Sequence, residues 1–266
     1  MLTPPDPVPA ATGGLLFCRA EPAAVGPAAQ LLRERLLLAA AGPEWSVLVP
    51  EGALWLHGEE PVDRVLSGWA TALAVGAPWP VLALWWDADR GGCTLASGFR
   101  RGVGYEWLAN GTPVGEDEAM RTFAARLGLD PVLDMQSLES LTRPDSGADA
   151  RARLLGLVAV LTRAGLTVPA GLAPGAGADR LRAAAQALPA VEEVEWAGWR
   201  EVVRAELDAD SGRLGPRTLA VAQLTAGLPV TVWGLRRRSA GWIAAGALLL
   251  AYGAAGLARA RFPASD

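Results

Sequence analysis

Short, continuous apolar runs alternate along the chain with longer stretches in which apolar residues recur every three or four positions. "GLLFCRA" (14–20) has the length and character of a strand. Residues 21–41 predict a helix, opened by Glu21-Pro22, closed by Gly42-Pro43, and striped by Ala28, Leu31, Leu32, Leu36 and Ala39. "WSVLVP" (45–50) and "ALWLHG" (53–58) read as two strands joined by a tight turn at Glu51-Gly52. Pro61 starts a second helix, with Val62, Val65, Leu66, Trp69 and Leu73 along one side. "VLALWWD" (81–87) is apolar throughout, which predicts a central strand buried on both faces.

Strand, helix, strand, strand, helix, strand is the split βαβ order of the ferredoxin-like superfold. The fold class expected is therefore α+β, a ferredoxin-like core with an added β-hairpin and helices. "DADRGG" (87–92) supplies the turn of that hairpin, and residues 93–99 and 103–109 supply further strands. Helices are expected at 115–128, with three acids in the first turn and Gly128 as its stop, and at 131–141 after Asp130. A linker at 143–150 leads to a helix over 150–163, an Ala/Gly loop, a helix over 179–188, a strand over 191–198 and a helix over 199–207.

The expected organisation is a flexible tail (1–12), an α+β domain (13–142) and a helix-rich extension or small second lobe (150–207). Residues 218–258 then follow as one or two membrane segments. Residues 239–258 carry no charge and, as a helix, would rise about 30 Å, the thickness of a bilayer's hydrocarbon core. Arg236, Arg237, Arg238, Arg259 and Arg261 flank this stretch, and Trp242 stands where an interfacial aromatic belongs. Residues 218–235 are also uncharged, so the pair predicts a transmembrane helical hairpin. The arginines at its two ends nearly balance, and the positive-inside rule does not orient it.

Composition sharpens this picture in two ways. All 24 basic residues are arginine, and asparagine and isoleucine occur once each, the usage of a GC-rich bacterial gene. Residues 218–266 hold five arginines and one acid, whereas residues 1–217 hold 19 arginines and 27 acids. An acidic body with a basic, apolar tail suits a membrane surface and argues against nucleic acid. The N-terminus has no signal-peptide pattern, so the body is expected in the cytoplasm, at the cell membrane.

The chemistry on offer is sparse. His57 is the single histidine and lacks metal partners; Cys18 and Cys93 have no metal-site spacing and read as buried hydrophobes. "DADRGG" departs from a calcium loop at its fifth and twelfth positions, so neither metal nor cofactor is expected. Asp87, Asp89, Arg100, Arg101, Glu106 and Glu116, with Asp117 and Glu118, form the one set whose hairpins could converge for metal-assisted hydrolysis. Trp85-Trp86 points both ways from its strand, and one ring is a candidate anchor for a partner. The leading expectation is a membrane-anchored, non-catalytic interaction or sensing module with a protein partner. The alternative is a hydrolase built on the carboxylate–arginine set.

Overall fold

The computed structural model describes residues 11–195, apart from 58, 59 and 76, all within one compact unit, Met1–Ala197. In chain order it comprises β1 (Gly13–Cys18), α1 (Pro22–Gln30), β2 (Leu36–Ala40), β3 (Ser46–Pro50), α2 (Ala53–Leu56), α3 (Val62–Val75), β4 (Val81–Trp86) and β5 (Arg90–Ala96). Then follow β6 (Val103–Leu108), β7 (Pro113–Val114), α4 (Asp117–Leu127), α5 (Leu133–Thr142), α6 (Ala150–Thr162), α7 (Ala178–Gln186) and β8 (Glu192–Val194). The protein is α+β, with one antiparallel sheet of eight strands in the order β7-β6-β5-β4-β1-β3-β2-β8.

The pleat sorts side chains into two cores. Leu15 and Phe17 of β1, Leu82 and Leu84 of β4, and Tyr105 and Trp107 of β6 face one core, closed by α4, α5, α6 and α7. Leu16 and Cys18, Val81 and Ala83, and Leu36 and Leu38 face the other, closed by α1 and α3. Both faces of the central strands are covered, which is why β1 and β4 are buried at every position and read as unbroken apolar runs. Within the sheet the order β4-β1-β3-β2 holds the centre, with α1 and α3 on the same face; β5–β7 extend one side and β8 the other. The segments after residue 150 belong to this same body: α6 and α7 pack into the first core and β8 pairs with β2.

Two expected elements are corrected. The single helix over 21–41 is instead α1 followed by β2. The chain reverses through Arg33, which holds a positive φ of 58°, and residues 36–40 pair with β3 on one side and β8 on the other. An apolar run flanked by two strands gains more from ladder hydrogen bonds and two-sided burial than from one more turn of helix. The strand expected at 53–58 is the short helix α2, reached through Gly52 at φ 80°; Trp55 packs on Trp69 of α3, with ring centroids 5.9 Å apart. The β-α-β-β-α-β order survives, because β2 takes the place of the strand that is missing after β3. A smaller difference is that β5 begins at Arg90, inside the expected turn.

Helix α5 is tied to the end of α6 by an ion pair between a buried carboxylate and a half-exposed guanidinium. Asp134, 4% exposed, accepts the Asp130 N–H at 2.8 Å and a close hydrogen bond from the Arg163 guanidinium. The Arg163 bond, and after it the backbone N–H, hold its carboxyl below the usual carboxylate range. A depressed folded-state pKa contributes stability that is complete above the unfolded value and is lost as pH falls through the folded one. Asp134→Asn is therefore expected to flatten the acid limb of the stability–pH curve below about pH 4, measured by urea midpoints across pH. An unchanged acid limb would refute the assignment.

Candidate functional site

The β4–β5 turn builds the most connected polar cluster of the sequence-derived set. Asp87 Oδ1 accepts the N–H groups of Asp89 at 2.8 Å and Arg90 at 2.9 Å, while the Asp87 N–H donates to the Arg90 carbonyl at 2.9 Å. This Asx-type turn fixes where β5 starts and directs Arg90 toward the α3 side of the sheet. Its guanidinium reaches Asp63 in the first turn of α3 at 3.2 Å, Glu106 of β6 at 3.2 Å and Asp87 at 3.7 Å. It also lies over the Trp85 ring, 5.2 Å from the centroid. Gly92 makes the ring's position available, since a Cβ there would come within 2.4 Å of Trp85 Cζ2.

One arginine thus faces three carboxylates. Partial burial works against its charge, but the Glu106 hydrogen bond and the charges of Asp63, Glu106 and Asp87 outweigh that, and its pKa is raised. The guanidinium is fully protonated and has no proton to exchange at neutral pH. The three carboxylates all point at a cation already held within the protein. The cluster's evident work is mechanical: it clamps the start of α3 to two strands of the sheet.

Beside it lies an open cleft of 870 Å³, bordered by Trp86, Asp87, Arg90, Asp149, Arg151 and the 171–177 loop. Trp86 Nε1 donates to the Ala176 carbonyl at 2.9 Å, and Arg151 Nε to the Pro174 carbonyl at 3.0 Å, so these two groups hold the loop.

The structure separates the rest of the set. Asp87 and Glu106 meet at Arg90. Asp89 is exposed on the same turn, and its carbonyl accepts the Ala109 N–H at 2.6 Å. Arg100 and Arg101 stand on the β5–β6 turn at the opposite end of β5, a strand of seven residues spanning roughly 20 Å. Glu116, Asp117 and Glu118 are exposed at the start of α4, where Glu118 pairs with Arg121 at 3.3 Å. His57 is exposed just after α2. No group of three or more His, Cys, Asp or Glu among the described residues could hold a metal ion.

Trp85 and Trp86 do point to opposite faces, but both rings are 4% exposed, so neither is a surface anchor. Cys18 and Cys93 are free and buried, and burial pushes both thiols up, that of Cys93 to about 12. Sequence reasoning missed two residues of the polar cluster: Arg90, read only as part of a hairpin turn, and Asp63, whose only local signal is an acid in the first turn of a helix, which the helix dipole alone explains.

Among the described residues no helix is long and apolar enough to cross a membrane. The expected membrane segments at 218–258, with Arg236, Arg237, Arg238, Trp242, Arg259 and Arg261, lie outside the described residues. Compared with protein-family models, curated proteins and solved structures, the chain matches none.

Proposed function

We propose that the chain is a membrane-anchored protein of the cell membrane, whose α+β body lies in the cytoplasm and serves as a non-catalytic interaction or sensing module. Residues 218–258 supply the anchor, as a helical hairpin in the bilayer, and the body engages a protein partner. The central strands β4-β1-β3-β2 with α1 and α3 are read as a ferredoxin-like unit, a scaffold that by itself dictates no chemistry.

The observation that carries this reading is the twenty-residue uncharged stretch at 239–258, bracketed by arginines. Two features of the body support it. The carboxylates best placed for acid–base work are engaged by Arg90, and the arginines expected to join them stand at the far end of β5. Two unpaired, buried thiols also fit a reducing compartment.

Fractionation of cells expressing the full chain is the test. Recovery in the membrane pellet, resistant to high salt and alkaline carbonate and released by detergent, is the expected outcome. Recovery in the high-speed supernatant without detergent would overturn the proposal.

A further inference from the structure

The large apolar side chains most exposed among the described residues are Phe99, Val132 and Leu133, at 89%, 69% and 65%. All three lie at the end of the sheet where β1 and β5 finish and β4 and β6 begin. Phe99 is at the tip of the β5–β6 hairpin. Val132 and Leu133 follow α4, whose Arg126 Nη1 donates to the Arg101 carbonyl at 2.7 Å and so joins the two loops. Both loops are built rather than loose. The Arg100 N–H donates to the Ser97 carbonyl at 3.3 Å around Gly98 at φ 54°. Asp130 Oδ1 accepts the N–H groups of Val132 at 2.8 Å and Leu133 at 2.7 Å. Their side chains are thereby fixed facing solvent.

The charges beside Phe99 are positive. Arg100 and Arg101 are exposed and form no ion pair among the described residues. Of the acids in the neighbouring loop, Asp134 is paired with Arg163, whereas Asp130 is exposed and keeps its negative charge while accepting backbone N–H groups, so the two free arginines outnumber the one free carboxylate. Glu21 and Glu44 stand at this same end, on the loops after β1 and before β3, two and three strands from β5. At the other end of the sheet Asp63, Asp87 and Glu106 are engaged by Arg90, and Arg151 and Arg180 border the same cleft. An anionic surface attracts the exposed Arg100 and Arg101 and so favours this end of the body.

We infer that the β5–β6 tip, with the loop bearing Val132 and Leu133, is a docking surface for an anionic lipid bilayer. An aromatic at a hairpin apex can sit at headgroup depth while the arginines beside it reach lipid phosphates. Three side chains on two loops are too small a set for a stable protein interface, which needs about 800 Å² per partner. The inference stands on residues 97–133 and does not depend on whether residues 218–258 span a membrane.

Burial of Cys18 and Cys93 lets an added cysteine be labelled selectively. The full chain carrying Ser97→Cys with an environment-sensitive fluorophore is mixed with, or reconstituted into, phosphatidylcholine vesicles with or without phosphatidylglycerol. The label is expected to shift to an apolar signal only with phosphatidylglycerol. Arg100→Gln and Arg101→Gln should each move the balance of inserted to free tip roughly fivefold toward free, and Phe99→Ser should reduce insertion further. A label that stays in water on anionic vesicles overturns the inference. So does an equal shift on both vesicle types, which assigns the signal to the anchor. A shift in plain buffer that grows with protein concentration also overturns it and makes a second copy the occupant.

Discussion

Trp107→Ala is expected to destabilise the body by about 3–5 kcal/mol, the usual cost of truncating a fully buried tryptophan. The side chain is 0% exposed and is among the largest in the first core. Its ring packs against Tyr105 at 5.1 Å between centroids and 50° between planes, a tilted pairing that adds to simple burial. Its Nε1 donates to the Leu141 carbonyl at 2.8 Å, linking β6 to the end of α5. A cavity there is walled by both sheet and helices, and neither closes readily on it. For a body of this size the loss corresponds to a fall in melting temperature of roughly 6–20 °C. Thermal denaturation followed by near-ultraviolet circular dichroism tests this. Trp107→Phe, which keeps most of the volume and loses the N–H, should cost clearly less. Equal costs for the two variants would mean that the hydrogen bond, rather than the packing, holds this junction.

How far such a junction can be read from sequence differs between its parts. Trp107 and Tyr105 alternate with Glu106, so their shared face is legible; the unbroken apolar run of β4 and the one-sided spacing of α3 place those elements too. Leu36–Ala40 is not legible in this way. Its leucines continue the spacing of Leu31 and Leu32 and also form an unbroken apolar run, so both periods fit. What decides between them is β3 and β8, and β8 lies more than 150 residues away in the chain. The break at Arg33 carries no glycine to announce it. Residues 53–58 fail for a related reason: Ala53–Leu56 is a short apolar run that periodicity alone does not assign, and a four-residue helix presents Trp55 to Trp69 just as well as a strand would.

The polar cluster shows the same limit. The turn chemistry of Asp87 is written locally, and Glu106 follows from pairing β5 with β6. Asp63 comes from a helix 27 positions before Arg90, and no spacing rule joins them. Conversely, Arg90 and Arg100 are ten positions apart and share a hairpin, yet an extended strand carries them to opposite ends of the sheet. Nearness in sequence within a strand is distance in space, and this dissolves the expected carboxylate–arginine site.

The second large effect is expected at Arg153, which lies among Ala150, Leu154 and Leu157 on the buried face of α6 although its residue type suggests an exposed position. The side chain is 3% exposed and has no carboxylate partner among its contacts. Its guanidinium instead donates to the carbonyls of Ser140 at 3.0 Å, Leu141 at 3.3 Å and Arg143 at 2.7 Å. These belong to the last turn of α5 and the residue beyond it, where unpaired carbonyls and the negative end of the helix dipole gather. A buried cation is tolerated there because the helix end acts as its counter-charge. Arg153→Ala removes the charge-assisted bonds and opens a cavity, with an expected loss of about 2–4 kcal/mol. Arg153→Met restores volume without donors and should recover about half; full recovery would show that the arginine served only to fill space. Trp107 and Arg153 share the Leu141 carbonyl as acceptor, so their losses should not add. The double variant Trp107→Ala/Arg153→Ala is expected to lose about 1 kcal/mol less than the sum of the single losses, because the second truncation acts on a helix end that the first has already released. Strict additivity in urea denaturation would mean that sheet and helix hold the end of α5 independently.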